Sequence, residues 1–353
     1  MKKLINSVEN VLNEQLRGFT AAHPEIELRL DPTFLVQSAG VGNKVALISG
    51  GGSGHEPMHA GFIGKGMLAG AIPGEIFTSP TPDQIIACSQ AADGGKGVLL
   101  IVKNYTGDVL NFETATELLQ DMGCEVSFVL SDDDVAVKDS LYTAGRRGVA
   151  NTVIMEKILG AAAETGDDLS SLTKLGIRVN NNGFSIGVAL NACTVPSAGK
   201  PSFTLAEDEM EFGVGIHGEP GISRRPYQDL NDTVDQMFQT LLENGTYSRT
   251  IRTWNGTEQT WEEHTLEKQP LTAGDRVIAM VNNLGSVPIS ELYGIYGRLA
   301  ENCQKANIHI ERSLVGSYCT SLDMQGFSIT LTRVDDELLR YFDAPVSTPA
   351  WKQ

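Results

Sequence analysis

The sequence is short of positive charge, of aromatic residues and of cysteines that could pair. Of its 353 residues, 27 are Lys or Arg and 44 are Asp or Glu, a formal net charge of −17 at pH 7. A field of that sign repels phosphates, so nucleic acid and an anionic membrane are disfavoured as partners. An anionic substrate would need a local positive pocket. The 5 cysteines (Cys88, Cys124, Cys193, Cys303 and Cys319) are odd in number and form no C-x-x-C pair. That spacing removes the zinc-ribbon and redox-motif readings. They read as reduced, mostly buried thiols of a cytosolic protein. No apolar run reaches the ~18–20 residues a membrane span requires. The first residues carry two lysines but no long apolar stretch. Leu4, Ile5, Val8, Val11, Leu12 and Leu16 recur there at helical spacing, which indicates an amphipathic helix rather than a signal peptide. The expected location is the cytoplasm, with no membrane partner.

What the chain does have is a core and much glycine. Hydrophobic residues make up 41% and glycine numbers 37. The glycines cluster between apolar runs and helical segments, as they do at the βα turns of α/β proteins. Lys44–Ser49 is a buried-type strand leading into Gly50–Gly54. Gly97–Lys103 is a second strand, and Asp108 opens a helix closed by Gly123. Glu125–Leu130 is a third strand, and a helix follows over roughly Val149–Thr165. The alternation predicts a mainly parallel sheet with ligands at the carboxyl ends of its strands.

Beyond Asn180–Gly183 the pattern restarts. Strands are expected at Ser185–Thr194, Glu211–His217, Arg276–Asn282 and Phe327–Thr332, and helices over residues 228–244 and near Ser290–Gln304. Residues 246–270 are polar and read as a surface hairpin. The length suits about two domains. The expected fold class is α/β: two domains, residues 1–185 and 186–353, each a mainly parallel or mixed sheet flanked by helices.

Gly50–His59 reads GGGSGHEPMH. No Lys follows as a P-loop needs, and Pro57 stands where a dinucleotide fingerprint needs glycine. His55–His59 is a literal H-E-x-x-H. That motif holds zinc only when both histidines share a helical face, and Pro57 is tolerated only in a first turn. No metal site is therefore expected. Two readings stay open. Either the glycines bring backbone close to a small polar ligand with His55 over the sheet edge, or they make a tight turn and His55 caps the next helix. His217, flanked by glycines in GVGIHGEPG, suits a nucleophile or base, although a lone His is more often bonded within a core. Asp108 could be a helix N-cap and Lys103 a snorkelling edge residue. Their predicted placement at strand ends of the first domain favours a site instead.

Seven blocks carry a resemblance: SGGGSGHEPMH, PGEIFTSPTPDQI, KNYTGDVLNFETATE, DDDVAVKDSLYTAGRRGVA, SIGVALNACTVPSAGKPSF, EMEFGVGIHGEPGI and VNNLGSVPISELY. Together they resemble the dihydroxyacetone-binding subunits of dihydroxyacetone kinases, nearest the enterobacterial, phosphoenolpyruvate-dependent type. The resemblance implies that His217 binds the substrate covalently as a hemiaminal through Nε2. It implies that Asp108 is the base for the transferring hydroxyl, and that His55 has an acid/base or hydroxyl-orienting role. Gly52, Ser53, Gly54 and Lys103 are the implied remaining contacts. It further implies a homodimer and a product of dihydroxyacetone phosphate. ADP and Mg²⁺ are expected on a separate kinase subunit, so this chain itself binds no cofactor. Arg178, Arg224 and Arg225 are candidate docking residues for that partner. The alternative is a sensor or coactivator paralogue that binds dihydroxyacetone and signals to a transcription regulator without catalysis.

Overall fold

The computed structural model describes residues 2–137, 145–255, 258 and 260–353. Part of the quoted Asp132–Ala150 block and the tip of the expected 246–270 hairpin lie outside those residues.

The first sheet contains β1 (Ile26–Leu30), β2 (Thr33–Gln37), β3 (Ala46–Ser53), β4 (Gly70–Ile76), β5 (Val98–Lys103) and β6 (Val126–Ser131), in the order β1-β2-β4-β3-β5-β6. Its centre is parallel, β4 to β3 to β5 to β6, and its β1–β2 edge is antiparallel. Helices α1 (Val11–Ala22), α2 (Pro82–Ala92) and α3 (Thr106–Asp121) belong to this half. β5 reads VLLIVK and is buried at every position, as a central parallel strand covered on both faces should be. Alternation decides which face each residue serves. Leu47, Leu99 and Ile101 pack with Val153, Ile154 and Ile158, whereas Ala46, Ile48, Leu100 and Val102 pack with Ile85, Cys88, Phe112 and Leu119.

Two helices follow, α4 (Asn151–Glu164) and α5 (Leu169–Asn182). The second sheet contains β7 (Gly183–Asn191), β8 (Glu209–Phe212) and β9 (Ser223–Pro226). Helix α6 (Leu230–Leu242) and the hairpin β10 (Tyr247–Asn255) with β11 (Thr260–Lys268) come next. The sheet is completed by β12 (Arg276–Asn283), β13 (His309–Gly316) and β14 (Gln325–Arg333), with α7 (Ile289–Lys305) and α8 (Asp336–Phe342) alongside. Its order is β13-β12-β14-β7-β8-β9, and only the β12–β13 pair is parallel. The fold is thus α/β with two mixed six-stranded sheets, and the division expected at residue 185/186 falls inside β7.

Helix α4 lies between the two halves. It contacts β3 and β5 of the first sheet and β7 and β14 of the second. Every residue from Asn151 to Ala163 is buried. A helix apolar on all sides can only be a core element, and the two charged residues it buries, Glu156 and Lys157, need partners. Lys157 Nζ donates to the carbonyls of Tyr341 and Ala344 at 2.9 and 2.8 Å.

Three expectations change in detail. The amphipathic N-terminal pattern becomes helix only from Val11, and Leu4 is exposed. Gly50–Ser53 is not a loop but the end of β3, because Ile72–Ile76 of β4 supply a parallel partner. The strand expected over Glu211–His217 stops at Phe212. Arg147 takes the Gly213 carbonyl at 2.7 Å, and Gly213 turns the chain with φ +77°.

Candidate active site

Asp108 and His217 face one cavity of about 540 Å³, lined also by Phe77, Ser79, Tyr105, Gly107 and Glu219. β5 delivers Lys103 at its carboxyl end, and three residues later α3 begins, with Asp108 in its first turn. Asp108 does not cap that helix: the N-cap position is Tyr105. Its carboxylate is buried and lies 3.9 Å from Lys103 Nζ. Burial raises its pKa, while the Lys103 charge and a hydrogen bond from Ser79 pull the other way.

His217 stands on the loop after β8. Its backbone N–H donates to Glu219 Oε2 at 2.8 Å. Glu219 Oε1 accepts from Arg147 at 3.2 Å, and Arg147 Nε donates to Asp134 Oδ2 at 2.7 Å. The loop is thus clamped to the first sheet's carboxyl edge by one buried guanidinium. The His217 ring sits edge-on to three others: Tyr105 at 4.3 Å, His55 at 4.6 Å and Phe77 at 5.4 Å between centroids. Burial, then the charges of Lys103 and Arg147, push its pKa down to about 3. The imidazole is therefore neutral at neutral pH.

His55 is fully buried and stacked on Phe77. Its Nδ1 is 2.8 Å from the Thr320 carbonyl and its Nε2 is 3.1 Å from His217 Nε2. A carbonyl only accepts, so Nδ1 carries the hydrogen. Burial, His217 and Lys103 all lower its pKa, so its Nε2 holds a lone pair. The bond between the rings is then donated by His217 Nε2–H. His217 Nδ1 has no partner among the described residues.

The remaining expected contacts divide. Lys103 is wholly buried and touches the cavity only through Asp108. Gly52 pairs with Gly74 inside the sheet, and Ser53 Oγ donates to the Gly74 carbonyl at 2.7 Å. Both line a second cavity of about 610 Å³ under α1, not the one holding Asp108 and His217. Gly54 turns the chain with φ +107°, and a β-carbon there would come within 2.7 Å of the Phe77 ring. The two histidines of H-E-x-x-H share no helical face, because the segment is a turn and bonds them to different partners: His59 reaches Glu156 at 2.6 Å and Lys103 at 3.0 Å. Among the described residues no group of three or more His, Cys, Asp or Glu could hold a metal ion. Arg178 is ion-paired with Asp335 and Glu337, Arg224 pairs with Glu211, and Arg225 lies over Phe212.

Sequence reasoning missed Phe77, Ser79, Tyr105, Arg147, Glu219 and Thr320. Phe77 and Ser79 lie in a block already singled out, PGEIFTSPTPDQI, but nothing local marks them. Thr320 comes from a loop 265 residues after His55, a distance that no spacing pattern bridges.

Comparison with known proteins shows the family. The Dak1 domain matches residues 17–350. The chain is 66% identical over 351 residues to the Escherichia coli (strain K12) protein "PEP-dependent dihydroxyacetone kinase, dihydroxyacetone-binding subunit DhaK", covering 99% of each. The solved structure of the C. freundii dihydroxyacetone kinase in complex with AMP-PNP and Mg²⁺ superposes with TM-score 0.85 at 34% identity, covering 99% of this chain and 61% of that one. A "Dihydroxyacetone kinase operon co-activator Dha-DhaQ" superposes with TM-score 0.84 at 31% identity, over 96% of this chain and 98% of that one.

Proposed function

Because the chain belongs to the Dak1 domain family, we propose that it is the dihydroxyacetone-binding subunit of a phosphoenolpyruvate-dependent dihydroxyacetone kinase, holding its substrate as a hemiaminal on His217. The observation that carries this reading is a neutral His217 ring with a second imidazole aimed at its Nε2 and a buried carboxylate on the same cavity wall.

The chemistry balances without a cofactor. As the His217 Nε2–C bond forms at the ketone carbon, the Nε2 proton passes to His55 Nε2, and the π electrons of the carbonyl go to its oxygen. His55 then returns the proton to that oxygen, leaving a neutral hemiaminal. An alcohol offers no such carbon, so dihydroxyacetone is selected over glycerol by bond formation. The tether fixes a small flexible molecule with a terminal hydroxyl presented to the donor. Asp108, whose ionised form the Lys103 charge favours against burial, accepts that hydroxyl's proton.

The phosphoryl donor belongs to a partner. The cavity walls carry two carboxylates, Asp108 and Glu219, and none of the lining residues is an Arg or Lys. Nucleotide phosphates would find no countercharge there. ADP and Mg²⁺ are accordingly assigned to a separate kinase subunit, the product is dihydroxyacetone phosphate, and a cytoplasmic homodimer is the expected form of this chain.

Intact-protein mass spectrometry after trapping with dihydroxyacetone tests the reading. Wild type gains the mass of one adduct, mapped to the His217 peptide, and His217→Ala gains none. An unmodified wild-type mass sinks the proposal. The likeness to an operon co-activator favours a second reading, a dihydroxyacetone sensor without catalysis. A sensor has no use for a general base, which the placement of Asp108 supplies. Product formation with the partner subunit present separates the two.

A further inference from the structure

A line of buried polar side chains leads away from Asp108 into the protein. Asp108 Oδ2 is 3.9 Å from Lys103 Nζ. Lys103 Nζ donates to the Gly50 carbonyl at 3.2 Å and meets His59 Nε2 at 3.0 Å. His59 Nδ1 is 2.6 Å from Glu156 Oε1. Asp108, Lys103, His59 and Glu156 are all buried, and they come from three separate places: the α3 end of β5, the turn after β3, and α4. Gly51 lies along the path, and a β-carbon there would run into Lys103 Nζ.

The bonding pattern fixes the hydrogens. An ammonium has donors only, so His59 Nε2 must accept from it and carry a lone pair. His59 Nδ1 then bears the hydrogen and donates to Glu156. A His turned the other way would set an N–H against an ammonium inside the core. Glu156 favours the required tautomer through Oε1: burial pushes its pKa up to about 8, and a hydrogen carried on Oε2, which has no partner among the described residues, leaves Oε1 free to accept from His59 Nδ1.

We propose that His59 and Glu156 are positioning residues for the Asp108–Lys103 pair: Glu156 orients the His59 ring, and the His59 Nε2 lone pair holds the Lys103 ammonium close to the Asp108 carboxylate, whose ionised form its charge favours. Without that acceptor the buried ammonium would keep one of its two protein hydrogen bonds, the one to the Gly50 carbonyl. Burial of that kind disfavours the charged amine. Asp108 would then lose the charge that offsets its own burial. The titratable and charged groups facing this line are Asp108, Lys103, His59, Glu156, His55, His217 and Cys319. The lowered pKa of His59, set by burial and by Lys103 and His55, agrees with a ring that stays neutral.

The inference rests on the reading of Asp108 as the base, so its test has a part that does not. In wild-type protein labelled with ¹⁵N at its 6 histidines, NMR should find His59 as the neutral Nδ1–H tautomer from about pH 5 to about pH 9. The Nε2–H tautomer, or titration of His59 near its ordinary pKa, overturns the proposal whatever the substrate is. The second part compares two isosteres in the complete kinase with its partner subunit. His59→Gln keeps an acceptor at the Nε2 position, and His59→Asn keeps a donor at the Nδ1 position but leaves Lys103 without an acceptor. With adduct formation on His217 retained in both, the acid limb of the turnover–pH profile should move up by ~1 unit or more in His59→Asn, and by clearly less in His59→Gln. Equal profiles for the two variants overturn the positioning role. Absence of an adduct in wild type would instead refute the function proposed above and leave the tautomer result standing.

Discussion

Asp108 is buried and His217 half-buried on the walls of one cavity, yet loss of water does opposite things to them. Desolvation disfavours whichever form is charged. For His217 that form is the imidazolium, so burial, helped by the charges of Lys103 and Arg147, favours the neutral ring that the proposed addition to a carbonyl requires. Tyr105, Phe77 and His55 suffice to build that wall. For Asp108 the charged form is the one a base needs, and burial works against it. The Lys103 charge offsets part of that effect, and Lys103 Nζ is itself held by the Gly50 carbonyl and His59. A neutral ring is favoured by its ring neighbours, whereas an ionised buried carboxylate requires a supporting set of charges and hydrogen bonds.

The contrast can be broken at its charged end first. Asp108→Asn should leave the adduct on His217 intact and lower turnover by roughly 10²–10⁴-fold, the usual range for general-base help. Rapid-quench assays of the complete kinase, alongside the intact mass, read both quantities. Turnover near that of wild type would remove Asp108 from the base role.

Lys103→Met should be next in size. Turnover is lost as pH falls through the Asp108 pKa in the folded protein, and removing the Lys103 charge raises that pKa. The acid limb of the turnover profile therefore moves to higher pH, by ~1–3 units for the loss of one close opposite charge. A limb that stays in place would mean Lys103 only fills space.

The smallest effect belongs to the neutral wall. An ordinary imidazole is mostly protonated at about pH 5, but His217 is pushed down to about 3. The yield of trapped adduct should therefore change by less than about twofold between about pH 7 and about pH 5. A steep loss near pH 6.5, the ordinary His value, would show that the ring is more hydrated than its surroundings suggest.

Much of this was legible in the residues, though unevenly. The strand run Val98–Lys103 and the helix after it announce themselves by composition, because a covered parallel strand has few ways to be written. Asp108, Lys103 and His55 could be placed near one sheet edge on that basis. The two histidines four residues apart could not be told apart by pattern. One turns toward His217 and the other toward Glu156, and only the turn at Pro57 and the packing of α4 decide which. Gly50–Ser53 was misread as a loop because glycine signals turns locally. Here it serves close packing against β4, a demand set by a partner strand some twenty residues away. His217 stood out for its glycines, but its meeting with His55 depends on the Arg147 clamp, which joins Asp134, Gly213 and Glu219 across the two halves.

Helix α4 also bears on how the molecule comes apart. A segment buried along its length between both sheets and the helices α5 and α8 cannot be freed while its neighbours remain folded. The two halves then share a single cooperative melting transition, and the amide protons of α4 are among the last to exchange with solvent. Severing the chain between its sheets would yield fragments that each expose half of a missing interior. The buried Glu156–His59 contact and the joining of the two sheets thus depend on the same fourteen-residue helix.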